Sequence, residues 1–391
     1  MNYILSDGTA RQSLLPFTFT RPVAAIRIGI LTIAEKWEKH LGASVSFLTD
    51  AYLQEKFPLQ VEDDNVVING SFLPNATLVN AIVALQPNQA LVDGDEVIAY
   101  RISELGQQFK REDFECLAFE GKSLTVKNTW DIFSKNDEAL QADFELLTNG
   151  RKSVAISKTN RLICPENIFI EEGAKVEHSI LNATEGPIYI AKNAQIWEGS
   201  LIRGGLALCE NAIVKMGAKI YGATTIGPYG KVCGELSNSV IFGYSSKGHE
   251  GYLGNAVLGE WCNIGADSNN SNLKNNYAKV RLWNYATETF DHTGLQFCGL
   301  MMGDHSKSAI NTMFNTGTVI GVNVNVYTPG FPRNFVPSFS WGGASGFRTY
   351  HLKSAFETAE VMMARRGRTF DDKEKSILEH VFELTKKWRK E

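Results

Sequence analysis

From Ile190 to Val232 the aliphatic positions keep one unbroken period: Ile190, Ile196, Ile202, Leu208, Val214, Ile220, Ile226 and Val232 fall at every sixth residue. Four residues after most of them stands a small side chain, Ala194, Ser200, Ala212, Ala218, Thr224 or Gly230, with Leu206 the exception. This period matches neither the 3.6 of a helix nor the 2 of a two-faced strand, but it suits a solenoid in which every sixth residue turns inward. The expected fold is a left-handed parallel β-helix, three hexads to a triangular coil, with the aliphatic residues stacked in the core and the small ones at the corners. A single coil cannot bury its own face, so the repeat stands or falls as one cooperative structure. After Val232 the register slips. Aliphatic positions resume at Leu258 and Ile264, each followed by glycine, and again at Met302, Phe314, Ile320 and Val326. This predicts a loop or corner bulge between Val232 and Leu258 and another between Ile264 and Met302, and loops thrown out of a rigid solenoid are where chemistry is first sought.

The pattern ahead of the repeat is different. Tyr3-Ile4-Leu5, "SVSFLTD", "NVVING" and "QALVDGDEVIAYRI" are apolar bursts bounded by Asp, Asn and Gly, and read as strands. Thr32 and Glu35 have capping-box spacing, and Gly42 supplies a stop, so one helix lies between the first strands. Residues 1–110 therefore read as a small α/β domain. Residues 111–160 read as a helical connector, with helical spacing of Trp130, Ile132, Phe133, Leu140, Phe144 and Leu147 and a stop at Asn149-Gly150. The β-helix then takes 161–345, and 346–391 forms two amphipathic helices broken at Gly367. These helices read as the cap that a repeat array needs. Phosphate binding by Arg365, Arg366 and Arg368, clustered at the break, is the alternative.

Composition narrows the classes. With 39 basic and 43 acidic side chains the net charge is −4, so no overall field points to nucleic acid or an anionic membrane. Six cysteines without a C-x-x-C pair argue for reduced thiols rather than a disulfide frame or zinc site. The first residues carry no basic segment and no long apolar stretch, so a cytoplasmic protein is expected.

The first loop region, "SSKGHEGYLGNAVLGEWCNIGADSNNSNLKNN", contains His249, Tyr252, Asn263 and Lys274 among glycines that let a ligand approach the backbone. An imidazole there can take the proton from an ammonium near neutral pH, as acyl transfer to an amine requires, while tyrosine and asparagine orient hydroxyls or the oxyanion. His292 and His305 lie close enough in sequence to be kept as secondary candidates.

"GHEGYLGNAVLGEWCNIGA" closely resembles the acetyltransferase signature of the GlmU family, the bifunctional UDP-N-acetylglucosamine pyrophosphorylase and glucosamine-1-phosphate N-acetyltransferase. The resemblance implies His249 as general base, Tyr252 and Asn263 at acetyl-sugar and acetyl-CoA positions, and Asn272 as the next asparagine of the same loop, with Lys274 beside it. It also implies acetyl-CoA as acyl donor and a homotrimer. The family's phosphate-binding lysine has no counterpart in "CGELSNS", which leaves Lys231, Lys219 or Arg203 to replace it, and the stretch Lys274 to Leu300 is longer than the family's. The front end resembles a shortened sugar nucleotidyltransferase. "LSDGTARQSLLPF" keeps Gly8, Arg11 and Pro16 of the phosphate loop but has Phe17 where a lysine is usual. Gly8, Arg11 and Arg21 are the candidate nucleotide or phosphate contacts, and Asp93 and Asp95 the candidate ligands of Mg²⁺. The combined expectation is a bifunctional enzyme that acetylates an amino-sugar phosphate and joins a sugar-1-phosphate to a nucleoside triphosphate. The rivals are an acetyltransferase with a nucleotide-sugar-binding front domain, a thymidylyl- or uridylyltransferase with a purely structural solenoid, and a non-enzymatic scaffold.

Overall fold

The computed structural model describes residues 1–103, 109–328 and 330–389. The chain divides into two compact units, one of Met1–Leu14, Thr20–Ile26 and Leu31–Asn128, the other of Leu15–Phe19, Arg27–Ile30 and Thr129–Glu391. Among the described residues no helix is long and apolar enough to cross a membrane.

The first unit is an α/β domain around a six-stranded mixed sheet. Its elements are β1 (Asn2–Ser6), α1 (Ile33–Leu41), β2 (Val45–Leu48), β3 (Asn65–Asn69), α2 (Ala76–Val83), β4 (Gln89–Asp93), β5 (Glu96–Ile102) and β6 (Glu115–Ala118). The apolar residues of β1 sit between β2 and β3 in parallel register, Tyr3 facing Val45 on one side and Val66 on the other. β5 runs antiparallel to β3 and β4, and β6 pairs parallel with β4. The capping box expected for α1 is present: the Glu35 N–H donates to Thr32 Oγ1 at 3.1 Å and the Thr32 N–H to Glu35 Oε2 at 2.6 Å. Gly42 ends the helix at φ 64°. Because β6 belongs to this sheet, the unit continues past residue 110 to Asn128. Residues 104–108, where the polar stretch suggested an end, lie outside the described residues.

The second unit opens with α3 (Asp131–Ser134) and α4 (Asn136–Thr148), and then forms the parallel β-helix. Its longest sheet has nine strands. The inward column of that sheet reads Ile170, Ile190, Leu208, Ile226, Ile241, Leu258, Met302, Ile320 and Val336. All are buried, as are the small corner residues Ala194, Ser200, Ala212, Ala218 and Thr224. Burial of such stacked aliphatic area is worth about 25 cal/mol per Å², which makes this column the main stabilising term of the unit. Ile264, Phe314 and Val326 join the same core.

The register slip after Val232 has a different cause from the loop or bulge expected. Strands Val240–Ile241 and Tyr252–Gly254 continue the ladder without a break, and the coils simply close with shorter corners. In the process Lys247 takes the inward place directly after Val232. The long excursion lies only between Leu258 and Met302, where Arg281–Asn284 and Thr289–His292 form an antiparallel hairpin. Two helices, α5 (Leu352–Ala364) and α6 (Asp372–Leu384), follow the last coils, with Gly367 at φ 66° between them.

α4 is tied to the solenoid by a buried amide. Asn136 donates to Ala223 O at 2.9 Å and to Thr225 Oγ1 at 3.1 Å, and its Oδ1 accepts the Gly29 N–H at 2.7 Å. Gly29 has φ 71°, and a Cβ there would lie 2.5 Å from Asp143 Oδ2. Replacing Asn136 with alanine orphans the Gly29 N–H and the Ala223 carbonyl in a fully buried place, so Asn136→Ala is expected to cost about 2–4 kcal/mol. A denaturant melt of the variant against wild type checks this, and a midpoint shift worth under about 0.5 kcal/mol contradicts it.

Candidate active sites

In the first unit the parallel strands β1, β2 and β3 end together at Ser6, Leu48 and Asn69. The polar residues that follow or close them line a cleft of about 890 Å³: Asp7, Gly8 and Thr9 after β1, Thr49 and Asp50 after β2, and Asn69 on β3. A crevice outside the carboxyl ends of parallel strands is where α/β sheets bind ligands. Gly8 has φ 54°, and a Cβ there would lie 2.9 Å from Asn69 Oδ1, so the loop after β1 passes Asn69 at a distance only glycine allows.

Arg11 lines this cleft but is fully engaged. Its Nη1 donates to Asp7 Oδ2 at 2.8 Å, its Nε to Asp50 Oδ2 at 2.7 Å and its Nη2 to the Tyr52 hydroxyl at 2.8 Å. One guanidinium thus clamps the ends of two neighbouring strands. Asp7 also accepts the Val23 N–H at 2.7 Å. Burial, the largest influence, still leaves the Asp7 carboxyl above its ordinary range despite Arg11, and burial pushes the Tyr52 phenol up to about 12. Lys127, the other cation of the cleft, pairs with Glu96. Arg21 is buried outside the lining. Phe17, at the position of the expected lysine, is fully buried and packs on Phe242 with ring centroids 5.6 Å apart, inside the second unit.

Asp93 and Asp95 flank Gly94 in the β4–β5 turn. Asp95 reaches the cleft edge near Arg111, at 3.8 Å, whereas Asp93 is exposed outside the lining. No group of three or more His, Cys, Asp or Glu able to hold a metal occurs among the described residues.

In the second unit the structure gathers part of the signature. The Tyr252 hydroxyl accepts from Asn272 Nδ2 at 2.9 Å, and the same amide donates to Asn255 Oδ1 at 2.7 Å. Next to Tyr252 in the ladder stands Glu235, which accepts from the Tyr221 hydroxyl at 2.7 Å. His249 is exposed at the corner between strands Ser246–Lys247 and Tyr252–Gly254. Asn263 is on the adjacent face, bridged to Ser246 and Lys307, so Tyr252 and Asn263 do not converge within one chain. Lys274 turns back toward its own loop, with Nζ 3.5 Å from Lys279 O. Of the possible phosphate cations, Lys219 is 3.8 Å from Glu250, Arg203 pairs with Glu185, and Lys231 is on the Asn263 face. His292 is exposed on the hairpin and His305 is buried in a ring stack.

Residues 3–152 match the family model described as sugar nucleotidyl transferase. That span covers the cleft and runs on to the end of α4. Curated relatives point the same way. The chain is 24% identical over 226 residues to "Bifunctional protein GlmU" of Cyanothece sp. (strain PCC 7425 / ATCC 29141), covering 52% of this chain and 46% of that protein. It is 22% identical over 260 residues to the protein of the same name from Synechococcus elongatus, covering 61% and 53%. The Methanococcus aeolicus protein of that name is 24% identical over 252 residues, covering 64% and 56%. The chain spans about half the length of these relatives. With its parallel solenoid it is consistent with a divergent GlmU-like protein, and these matches support a transferase.

The hexad pattern gave no hint of Lys247. Its side chain is fully buried, and its Nζ donates to Cys233 O at 3.2 Å, His249 O at 2.6 Å and Glu250 O at 3.1 Å. It therefore holds the His249 backbone from inside the core. Burial lowers its amine to about 8. Below pH 8 both folded and unfolded chains carry the proton, and the folded one bears the full cost of burying it. Between about 8 and the ordinary 10.5 only the unfolded chain stays protonated, so this lysine makes stability rise with pH through that window. Lys247→Met is expected to abolish that rise, of roughly 3 kcal/mol at most. Denaturant melts of both proteins from pH 7 to 10 measure it, and equal slopes refute the assignment.

Proposed function

We propose that the protein is a bifunctional transferase of sugar phosphates. In the first unit a sugar-1-phosphate oxygen attacks the α-phosphorus of a nucleoside triphosphate. A P–O bond forms, the bridge to the β-phosphorus breaks, and pyrophosphate leaves. The triphosphate is taken as its Mg²⁺ complex. The chain's own part is positioning: the backbone after Gly8 approaches the phosphates closely, Asn69 offers an amide, and the Arg11 clamp keeps the ends of β1 and β2 in register. The observation that carries this reading is a cleft at the ends of β1, β2 and β3 in the residues that the family model covers.

In the second unit His249 takes the proton of an amino-sugar ammonium, the freed amine attacks the thioester carbonyl of acetyl-CoA, and the C–S bond breaks to release the thiol. The support is an exposed imidazole on a backbone clamped by Lys247, three residues before Tyr252, whose hydroxyl is fixed by Asn272. Because Asn263 is on another face, its participation requires a second copy, which favours a homotrimer. Glucosamine-1-phosphate and a product of the UDP-N-acetylglucosamine type are the substrate and product we infer from the similarity to GlmU proteins.

One observation favours a second reading for the first unit. Arg11 and Lys127 are both neutralised by carboxylates, as suits a cleft that holds a nucleotide-sugar without turning it over.

Two assays test these readings. Pyrophosphate release from UTP or dTTP with a panel of sugar-1-phosphates is expected in wild type, with kcat/KM reduced about 10–100-fold in Asn69→Ala through loss of one positioning hydrogen-bond donor. Silence across the panel, with nucleotide-sugar still bound, assigns the cleft to binding alone. Thiol release from acetyl-CoA with glucosamine-1-phosphate is expected to fall about 10²–10⁴-fold in His249→Ala. Undiminished turnover in that variant removes the acetyl-transfer mechanism.

A further inference from the structure

Strands Lys219–Tyr221, Glu235–Ser237 and Tyr252–Gly254 stack in parallel on one face of the solenoid, so that Lys219, Glu235 and Tyr252 form one outward row and Tyr221, Ser237 and Gly254 the next. Neighbouring rungs of a parallel sheet stand about 4.8 Å apart. The first row meets the His249 corner through its backbone: the Glu235 N–H donates to Gly251 O at 3.2 Å, and a Cβ on Gly234, at φ 81°, would lie 3.0 Å from His249 O. Glu235 thus stands one rung from the segment that carries the imidazole.

The charges of this row do not balance. Lys219 Nζ is 3.8 Å from Glu250 Oε2, which leaves Glu235 over. Among the described residues Glu235 makes no ion pair, and its Oε1 accepts the Tyr221 hydroxyl at 2.7 Å. Two carboxylates against one ammonium leave a net negative charge beside Tyr252. The neighbouring cations are engaged elsewhere: Arg203, which faces Tyr221 in the ladder, pairs with Glu185 at 2.6 Å, and Lys215 donates to Gly248 O at 2.9 Å. The two phenols carry the same signature. Burial above all holds Tyr221 and Tyr252 above their ordinary range, Glu235 raises them further, and among the described residues no cation is a leading influence on either. A phosphate set against Glu235 meets a like charge within a few ångströms, whereas an ammonium gains a charge-assisted hydrogen bond to a carboxylate already fixed by Tyr221.

We propose that the acceptor of the acetyl group is an amino sugar with no phosphate on the carbon next to its amine, held through its ammonium by Glu235. This rests on the acetyl-transfer reading and narrows the acceptor within it. In glucosamine-1-phosphate the amine and the phosphate are on adjacent carbons, so anchoring the one at Glu235 brings the other against the same carboxylate. The chemistry is unchanged: the amine nitrogen bonds the acetyl carbon and the C–S bond breaks. Of the two protons the ammonium loses, one reaches the leaving thiolate and the other passes through His249 to solvent, while Glu235 stays ionised.

Thiol release from acetyl-CoA by the full chain tests this with glucosamine, glucosamine-6-phosphate and glucosamine-1-phosphate as acceptors, each measured against His249→Ala as the baseline. The first two are expected to exceed the third about tenfold in kcat/KM, and their own order separates a bare amino sugar from one with a remote phosphate. Glu235→Gln is expected to lower kcat/KM for glucosamine about tenfold, mainly through KM, and to bring the three acceptors to within about threefold of one another. Circular dichroism melts confirm that the variant is folded, and if it is not, the order of acceptors in wild type carries the test. The inference is overturned if glucosamine-1-phosphate is the best acceptor, which would give its phosphate to cations of a second copy, or if Glu235→Gln lowers all three alike. If none of the three gives His249-dependent release, the acetyl-transfer reading itself fails, and the acceptor with it.

Discussion

Parallel stacking of one inward aliphatic residue per coil face is the interaction on which the second unit depends. The column from Ile170 to Val336 shields the ladder from water, and the ladder in turn fixes the height of every rung. One consequence reaches beyond stability. In parallel register the outward residues also fall into columns, so chemistry separated by a coil or more in sequence is brought to one spacing in space. Glu235 meets Tyr252, and Lys231, Ser246, Asn263 and Lys307 form a single row, although Asn263 and Lys307 are separated by the whole hairpin excursion. The solenoid acts as a ruler on which side chains are placed.

Lys247 shows how that ruler is put to use. An ammonium in an inward position breaks the aliphatic rule, and its desolvation is offset only in part, by three carbonyl acceptors rather than by a counter-charge. Two of those carbonyls belong to His249 and Glu250, so the same bonds that make the lysine tolerable hold the corner where the histidine stands. The first unit uses an analogous device, since Arg11 is buried by pairing with Asp7 and Asp50 and in doing so joins two strand ends beneath the cleft. In both units a buried cation serves as a fastener for a loop rather than as a contact for substrate.

That distinction separates what the sequence made legible from what it hid. The eight aliphatic positions at hexad spacing, the small corner residues and the Thr32–Glu35 cap all read directly, because each is a local pattern with one geometric solution. The later core residues Ile264, Met302, Phe314, Ile320 and Val326 were also identified from their identities. The shortened coils after Ile226 were not, since a missing corner residue and an inserted loop leave the same break in period. Lys247 was lost in that break. Among the site residues Tyr252 and Asn272 come together as the motif implies, yet their separation from Asn263 onto another face follows from corner placement that spacing does not encode. In the first unit Arg11 was visible as a cation after β1. Its partners Asp50 and Tyr52 both come from the segment that follows β2, and the polar endings of "SVSFLTD" and "NVVING" were the available sign that Asp50 and Asn69 border a cleft.

Charge pairing sets the two units apart in a way that composition conceals. The net charge of −4 describes neither of them. In the first unit the cations of the cleft are neutralised within the fold, so a phosphate arriving there must compete with Asp7, Asp50 and Glu96 or bring its own counter-ion. On the Asn263 side of the solenoid four cations line a space without a carboxylate, and an anion there meets only the carbonyl oxygens of His305 and Tyr229, which accept from Lys307 at 2.6 Å and Arg366 at 3.4 Å. At the 8 Å screening length of physiological salt, partly buried charges of this kind keep most of their interaction while surface charges lose it. Phosphate affinity in this chain is therefore expected to be governed by which cations lack an internal partner, and a count of arginines near a glycine loop is a poor guide to it.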